Sequence, residues 1–215
     1  MKYDCVIWDW NGTLIDDMGV SLGSVNRILA DRGMPPITEA DYYDYIDTPI
    51  TRFYERLFDL EKTDVTQLLR EFNVNYDALL DGGEVREGTR LALKAAADAG
   101  VRQIVLSAFE QNKLRRMLRE YGVDGCFAAV LGADNIHCGD KTDRAREYFA
   151  AEGLSPERAV VIGDTLHDAA VAKAVGCDCV LVRGGHQGGR ELEASGVPLA
   201  DSAADAVKLA LGIEF

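Results

Sequence analysis

The sequence has no apolar run that approaches the roughly 20 residues a membrane-spanning helix needs. It also has fewer basic than acidic residues: 23 Lys and Arg against 36 Asp and Glu give a net charge of -13 at pH 7. A chain with this balance has no general attraction for the phosphates of a nucleic acid or for an anionic membrane surface. We therefore expect neither nucleic acid nor a membrane as a partner.

Cysteine is scarce, and its number is odd. The five residues are scattered, which does not suggest a disulfide framework and favours a reducing, cytoplasmic environment. His137 and Cys138, even together with Cys177 and Cys179, fit no zinc pattern, so no zinc site is predicted. The first residues lead directly into a strand-like run, so we expect no signal peptide.

The remaining composition is that of an ordinary globular protein. Of the 215 residues, 47% are hydrophobic and 27% are charged, so disorder is not expected. The length suffices for one core domain with a smaller domain inserted into it. The sequence contains no internal repeat and no low-complexity tract.

Short apolar runs alternate with helical patterns, which predicts an α/β fold. Because the runs are continuous rather than alternating, they indicate strands buried on both faces, in a Rossmann-like parallel sheet with helices on both sides. The predicted strands are Val6–Trp8, Val101–Leu106, Ala128–Leu131, Ala159–Ile162 and Cys179–Val182.

One stretch, from about Asp17 to Gly83, shows helical patterns and no strand-like run. We interpret it as an all-helical domain inserted after the first strand, with Gly82–Gly83 as the hinge where the chain returns. The predicted domains are an α/β core of residues 1–16 and 84–215 and a helical cap of residues 17–83.

Polar residues follow the predicted strands at the edge where parallel sheets bind ligands. Asp9 opens the segment DWNGTL after the first strand, and Ser107 follows the second. Lys141 opens the helix after the third strand, and GDTLHD, with Asp164 and Asp168, follows the fourth. We expect these side chains to converge in space.

Such a set suits phosphoryl transfer. A carboxylate can attack phosphorus and form a covalent intermediate. Mg²⁺ held by carboxylate and carbonyl oxygens neutralises the repulsion between two anions. A lysine, a hydroxyl and backbone N–H groups bind the remaining phosphate oxygens.

The segments DWNGTL and GDTLHD, together with Ser107 and Lys141, resemble the four signature motifs of the haloacid dehalogenase-like superfamily. The resemblance covers the whole chain, including a helical cap, and is greatest to the phosphoglycolate phosphatase branch. It implies a Mg²⁺-dependent phosphatase for a small phosphorylated metabolite, monomeric or homodimeric, in which the cap excludes water and selects the substrate.

The resemblance also implies roles for single residues. Asp9 would be the nucleophile and a metal ligand, and Asn11 would give its backbone carbonyl to the metal. Asp164 would bind Mg²⁺, with Asp168 as a further ligand or a holder of metal-bound water. Lys141 would bridge the nucleophile and the phosphate.

Further residues are candidates for binding the substrate. Thr13 would shape the loop around the nucleophile, and Gly12 would let the backbone approach the phosphate. Ser107 would hold a phosphate oxygen, with its neighbour Ala108 beside it. In the cap, Arg52 is the candidate for binding an acidic group of the substrate.

Asn11 departs from the family pattern, in which this position usually holds an aspartate that moves a proton. An amide can donate and accept hydrogen bonds but cannot shuttle a proton. General acid–base catalysis, which needs such a proton transfer, typically raises the rate by ~10²–10⁴-fold. We therefore predict slow turnover of alkyl phosphates and less impairment for substrates with good leaving groups. A water or another side chain moving the proton, a specialised phosphatase, and a phospho-ligand-binding or regulatory protein with weak turnover all remain open.

Other reactions, and other roles for some of these residues, remain open as well. A phosphonatase would need a lysine in the cap, where Lys62 stands without supporting context, and a dehalogenase would not need Asp164 and Asp168. Ser107 is also a candidate N-cap of the following helix. Asp168 would also suit the first turn of its helix, and Lys113 is a rival for the role of Lys141.

Overall fold

A computed structural model describes residues 2–80, 85–134 and 141–215. The predicted hinge, Gly82–Gly83, lies outside these residues, as do His137 and Cys138. No helix in the described ranges combines the length and the apolar character needed to cross a membrane.

The centre of the fold is a sheet of six parallel strands in the order β3-β2-β1-β4-β5-β6. This confirms the predicted α/β class. The strands are β1 Cys5–Trp8, β2 Arg102–Glu110, β3 Ala129–Ala133, β4 Ala159–Gly163, β5 Asp178–Val182 and β6 Leu199–Ala200. The sixth was not predicted, because two residues are too short to form a recognisable apolar run.

Ten α-helices lie in the described residues. They are α1 Met18–Asp31, α2 Glu39–Tyr45, α3 Thr51–Glu55, α4 Val65–Leu79, α5 Thr89–Asp98, α6 Gln111–Glu120, α7 Lys141–Glu152, α8 Leu166–Val175, α9 Gly189–Ala194 and α10 Ala203–Leu211.

The chain divides into two compact units, one of Met1–Asp16 with Gly83–Phe215 and the other of Asp17–Gly82. The first unit carries the sheet. Across its described residues, 17–80, the second unit contains helices and no strand. Its assignment as a cap stays a prediction.

Both faces of the sheet are buried, as the continuous apolar runs require. On one face, Ile7 and Val161 belong to a cluster with Phe149 of α7 and Val171 of α8. Because strand side chains alternate, the neighbouring Trp8 faces the other way. Its indole N–H donates to Gln103, 3.0 Å away, and the Gln103 amide in turn donates to a carbonyl of α5.

The helical unit has its own small core, in which α1 packs against α4. Ile28 and Leu68 are fully buried there. Gly23 allows the close approach, since a Cβ at this position would lie 3.1 Å from Leu79. The buried hydroxyl of Tyr76 donates to Asp17 at 2.8 Å, which ties the end of α4 to the start of α1.

Candidate active site

The candidate site lies where two adjacent central strands end. β1 and β4 pair in parallel with Trp8 opposite Ile162, and the backbone N–H of Asp9 donates to the Ile162 carbonyl at 2.9 Å. Asp9 and Asp164, the residues that follow these two strands, therefore lie next to each other at the edge of the sheet. In this strand order, β1 and β4 flank the point where the winding reverses, which is where ligands bind in open α/β sheets.

Three buried carboxylates meet at this point. One oxygen from each of Asp9, Asp164 and Asp168 lies within 4.8 Å of the other two, and their side chains are enclosed by protein. In the described ranges, no other group of acidic, histidine or cysteine side chains is gathered in this way. Carboxylate oxygens are the ligands that Mg²⁺ prefers, so the donor set fits this ion.

One lysine faces these acids. Lys141 is 6% exposed, and its Nζ lies 2.5 Å from Asp9 Oδ1 and 2.9 Å from Asp168 Oδ1. The rival residue, Lys113, instead places its ammonium 4.6 Å from the ring centre of Phe109. Lys141 offsets only one of the three carboxylate charges, and a divalent ion would offset more of them.

Asp168 makes two kinds of contact in the structure, one to its own helix and one to Lys141, and its role as a metal ligand stays a prediction. It is the third residue of α8, and its Oδ2 accepts from the backbone N–H and the hydroxyl of Thr165 in a capping box. Its other oxygen, Oδ1, accepts a hydrogen bond from the ammonium group of Lys141. The helix cap therefore fixes the carboxylate that holds the lysine.

Glycines leave room for the carboxylates. Gly12 has a φ of +73°, and a Cβ there would lie 2.2 Å from Asp164 Oδ2. A Cβ at Gly185 would lie 2.1 Å from the same oxygen, and one at Gly163 would lie 2.4 Å from the Asp168 side chain. Any larger residue at these three positions would displace an acid of the cluster.

Thr13 bonds the acids themselves. Its hydroxyl is 3.0 Å from Asp164 Oδ1 and 3.4 Å from Asp9 Oδ2. The Thr13 side chain thus connects the loop after β1 to the acid that follows β4. Its role in binding substrate stays a prediction.

Ser107 lies at the site but is not the N-cap of α6. β2 continues to Glu110 through an irregular pairing with β3, so Ser107 and the half-buried Ala108 belong to the strand. Glu110 is the N-cap, and its carboxylate accepts from two backbone N–H groups of the first turn. The Ser107 hydroxyl accepts from the Phe109 N–H at 3.1 Å and lies 3.5 Å from the side-chain oxygen of Asn11.

Arg52 lies in the helical unit, on α3. Its side chain is 59% exposed, and Nη1 is 3.4 Å from Asp47 Oδ2. Exposed pairs of this kind contribute little to stability. A role for Arg52 in reading the substrate stays a prediction.

Two contributors to the site were missed by the sequence analysis. The backbone N–H of His186, in the loop after β5, donates to Asp164 Oδ2 at 2.6 Å. Arg86 donates to the carbonyls of Gly12 and Arg183. The Gly-Gly pair at 184–185, at the end of a predicted strand, was the available signal for the first, whereas no local pattern marks Arg86.

Burial and neighbouring charges shift the pKa values of the cluster. Burial raises the pKa of Asp9 to about 8, the negative charges of Asp168 and Asp164 add to this, and Lys141 opposes it. The pKa of Asp164 is raised too, first by burial. Burial acts on Asp168 in the same direction, but Lys141 and Thr165 outweigh it and hold the pKa of that carboxyl below its ordinary value. Burial would lower the pKa of Lys141, but Asp168 and Asp9 raise it.

These shifts predict how the metal-free protein responds to pH. A raised pKa means that the folded state holds a proton that the unfolded chain releases, so the contribution of Asp9 to stability is lost as pH rises from about 4 toward 8. Asparagine has the shape of a protonated aspartate and does not titrate. Between pH 5 and pH 7 we expect Asp9→Asn to gain roughly 1–3 kcal/mol of unfolding free energy relative to the wild type.

The measurement is urea unfolding of both proteins in EDTA at several pH values. A stability difference between them that stays constant or shrinks as pH rises contradicts the prediction.

Comparisons with known proteins agree with this geometry. The family model described as haloacid dehalogenase-like hydrolase matches residues 6–182. A phosphoglycolate phosphatase of Pseudomonas putida is 25% identical over 198 residues, 88% of this chain and 72% of the relative. The tyrosine-protein kinase PtkA of Mycobacterium tuberculosis is 28% identical over 212 residues, 97% of this chain and 72% of the relative.

Among solved structures, a haloacid dehalogenase-like hydrolase of Streptococcus pneumoniae superposes with a TM-score of 0.83 at 15% identity, over 99% of both chains. At this identity the likeness shows the fold. The family match extends from β1 to the end of β5. With the phosphatase relatives, it confirms the predicted enzyme class, a phosphatase. The chain belongs to the haloacid dehalogenase-like hydrolase family.

Proposed function

We propose that the protein is a Mg²⁺-dependent phosphomonoester hydrolase that acts on a small phosphorylated metabolite through an aspartyl-phosphate on Asp9. The observation that carries this proposal is the buried set of Asp9, Asp164 and Asp168 with Lys141 in contact with two of them. A phosphoglycolate-like compound is our best choice of substrate, because several relatives carry the name phosphoglycolate phosphatase.

The proposed reaction has two displacements at phosphorus. A carboxylate oxygen of Asp9 attacks the phosphate ester, the P–O bond to the leaving group breaks, and the alcohol departs with a proton taken up from solvent. Water then attacks the aspartyl-phosphate, which releases inorganic phosphate and restores the carboxylate. Lys141 offsets the charge of the nucleophile and the phosphate through both steps.

Asp9, Asp164 and the backbone carbonyl of Asn11 would hold Mg²⁺, with Asp168 as a further ligand or a holder of water. When bound, Mg²⁺ supplies positive charge that lowers the repulsion between the Asp9 carboxylate and the anionic phosphate. Two contacts already fix Asp164, from the Thr13 hydroxyl and the His186 N–H. Because these partners hold it in place, Asp164 needs little rearrangement to bind an ion.

Binding of the phosphate would fall to the residues at the ends of β1 and β2. The Ser107 hydroxyl and the Ala108 N–H are candidates for phosphate oxygens, and Gly12 leaves room beside Asp164. We propose that the helical unit selects among substrates, with Arg52 as the candidate for contact with a distal acidic group.

Metal removal tests the proposal. After dialysis against EDTA, we expect release of phosphate from p-nitrophenyl phosphate to fall by at least about 100-fold, because ions of this kind lower such barriers by several kcal/mol. Added Mg²⁺ should restore it. A panel of phosphorylated metabolites that includes 2-phosphoglycolate then ranks the substrates by kcat/KM. Turnover that survives complete metal removal contradicts the proposal.

A second candidate function is transfer of the phosphoryl group to a phenolic hydroxyl. It is favoured by the similarity to a tyrosine-protein kinase over 97% of the chain and by Asn11. Without an acid or base at this position, a leaving nucleoside diphosphate and an attacking phenol both need less proton transfer than an alkyl alcohol and water.

The two functions differ in the fate of the phosphoryl group. With a γ-labelled nucleoside triphosphate and a tyrosine-containing peptide, hydrolysis yields labelled inorganic phosphate, whereas transfer labels the peptide. Tight binding of phosphate esters with neither product would favour the phospho-ligand-binding alternative.

A further inference from the structure

One arginine outside the four motifs joins two loops of the site. Arg86 Nη1 donates to the carbonyl of Gly12, in the loop that carries Asp9. Its Nη2 donates to the carbonyl of Arg183, the residue after β5, at 2.8 Å. The backbone N–H of Arg86 donates to the Leu14 carbonyl at 2.9 Å, so the residue is anchored to the first loop by main chain as well as side chain.

Both loops held by Arg86 touch the same carboxylate. From the first, a Cβ on Gly12 would lie 2.2 Å from Asp164 Oδ2. From the second, the His186 N–H donates to that oxygen at 2.6 Å, and a Cβ on Gly185 would lie 2.1 Å from it. The position of Asp164 is thus set by two segments whose separation the guanidinium fixes.

The side chain suits this task. A guanidinium is planar and presents donors in a fixed fork, so it can hold two carbonyls at a set spacing, whereas an ammonium is a compact donor on a flexible stem. Gly184 has a φ of +74°, and a Cβ there would lie 3.0 Å from Arg86 Nη2. The glycine therefore leaves space for the guanidinium beside the Arg183 carbonyl.

We propose that Arg86 is a positioning residue that keeps Asp164 ready to bind the metal by tying the loop after β1 to the loop after β5. The inference rests on the proposed Mg²⁺ site. It adds a structural requirement that the four motifs do not contain.

The chain offers a matched control. Arg90, in the first turn of α5 and four residues after Arg86, also bonds two backbone carbonyls, those of Tyr121 at 2.7 Å and Gly122 at 3.3 Å. These carbonyls directly follow α6, outside the loops after β1 and β5. Arg86→Lys and Arg90→Lys both keep the charge and remove the fork, but they release different carbonyls.

The test has two readouts. The Mg²⁺ dissociation constant, measured by calorimetry, should rise about 10- to 100-fold in Arg86→Lys, the usual effect of losing a residue that orients a ligand, and stay near wild type in Arg90→Lys. Hydrogen exchange should accelerate in Arg86→Lys at the amides of residues 12–14 and 184–187, and the Arg90 variant should leave both segments unchanged.

The outcomes separate the two proposals. If the wild type binds no Mg²⁺, the metal assignment fails, while hydrogen exchange still decides whether Arg86 orders the two loops. If the wild type binds Mg²⁺ and Arg86→Lys keeps both the wild-type dissociation constant and wild-type exchange, the role of Arg86 is refuted.

Discussion

Replacement of Asp9 by asparagine should abolish phosphate release, lowering kcat by on the order of 10³-fold or more. The change keeps the size of the side chain but removes the charged oxygen that attacks phosphorus. In the proposed reaction Asp9 alone attacks phosphorus, whereas Asp164 and Asp168 would hold Mg²⁺ and its water.

The assay is Mg²⁺-dependent hydrolysis of p-nitrophenyl phosphate at saturating substrate. Asp98→Asn is the matched control, because Asp98 is an exposed aspartate at the C-terminal end of α5, paired with Lys94 and not a member of the acidic cluster. Unfolding curves for both variants establish that they are folded. More than a tenth of wild-type kcat in Asp9→Asn would rule out Asp9 as the nucleophile.

Replacement of Asn11 by aspartate should raise kcat for alkyl phosphates by ~10²–10⁴-fold, the range that general acid–base catalysis contributes. The side chain lies in the loop between Asp9 and Gly12, and its oxygen is 3.5 Å from the Ser107 hydroxyl. A carboxyl group in this place can give a proton to the leaving alcohol and then take one from the attacking water. The gain for an aryl phosphate should be smaller, because a phenolate leaves without a proton.

The informative quantity is the ratio of kcat for an alkyl phosphate to kcat for an aryl phosphate. Asn11→Ser, which also lacks a titratable group, is the control and should leave the ratio unchanged. The Asn11→Asp variant should also gain a limb in its pH–rate profile. An unchanged alkyl rate in a folded Asn11→Asp protein would mean that the wild type already moves the proton by another route.

The strands around the site were predictable because burial on both faces leaves a continuous apolar run. Val6–Trp8 and Ala159–Ile162 differ from the observed β1 and β4 by one residue each. β2 was predicted to end at Leu106 but continues to Glu110. Its last residues pair with β3 across an irregular register, and this long-range pairing leaves no trace in the local sequence.

The sequence by itself determined which residues could do chemistry and on which edge of the sheet they stand. The reason is geometric: parallel strands have their carboxyl ends at the same edge of the sheet, so the residues that follow the strands in the sequence lie at that edge. Asp9 and Asp164 each follow the last residue of their strand, whereas Ser107 lies within β2, which continues to Glu110.

Only the tertiary structure decided how those residues are held. Lys141 rather than Lys113 enters the cluster, and His186 and Arg86 reach the site from segments far away in the chain. Each of these contacts joins residues that are adjacent because two loops or helices pack together. The hydrogen bonds of a buried charge depend on that packing, and no periodicity in a single segment encodes it.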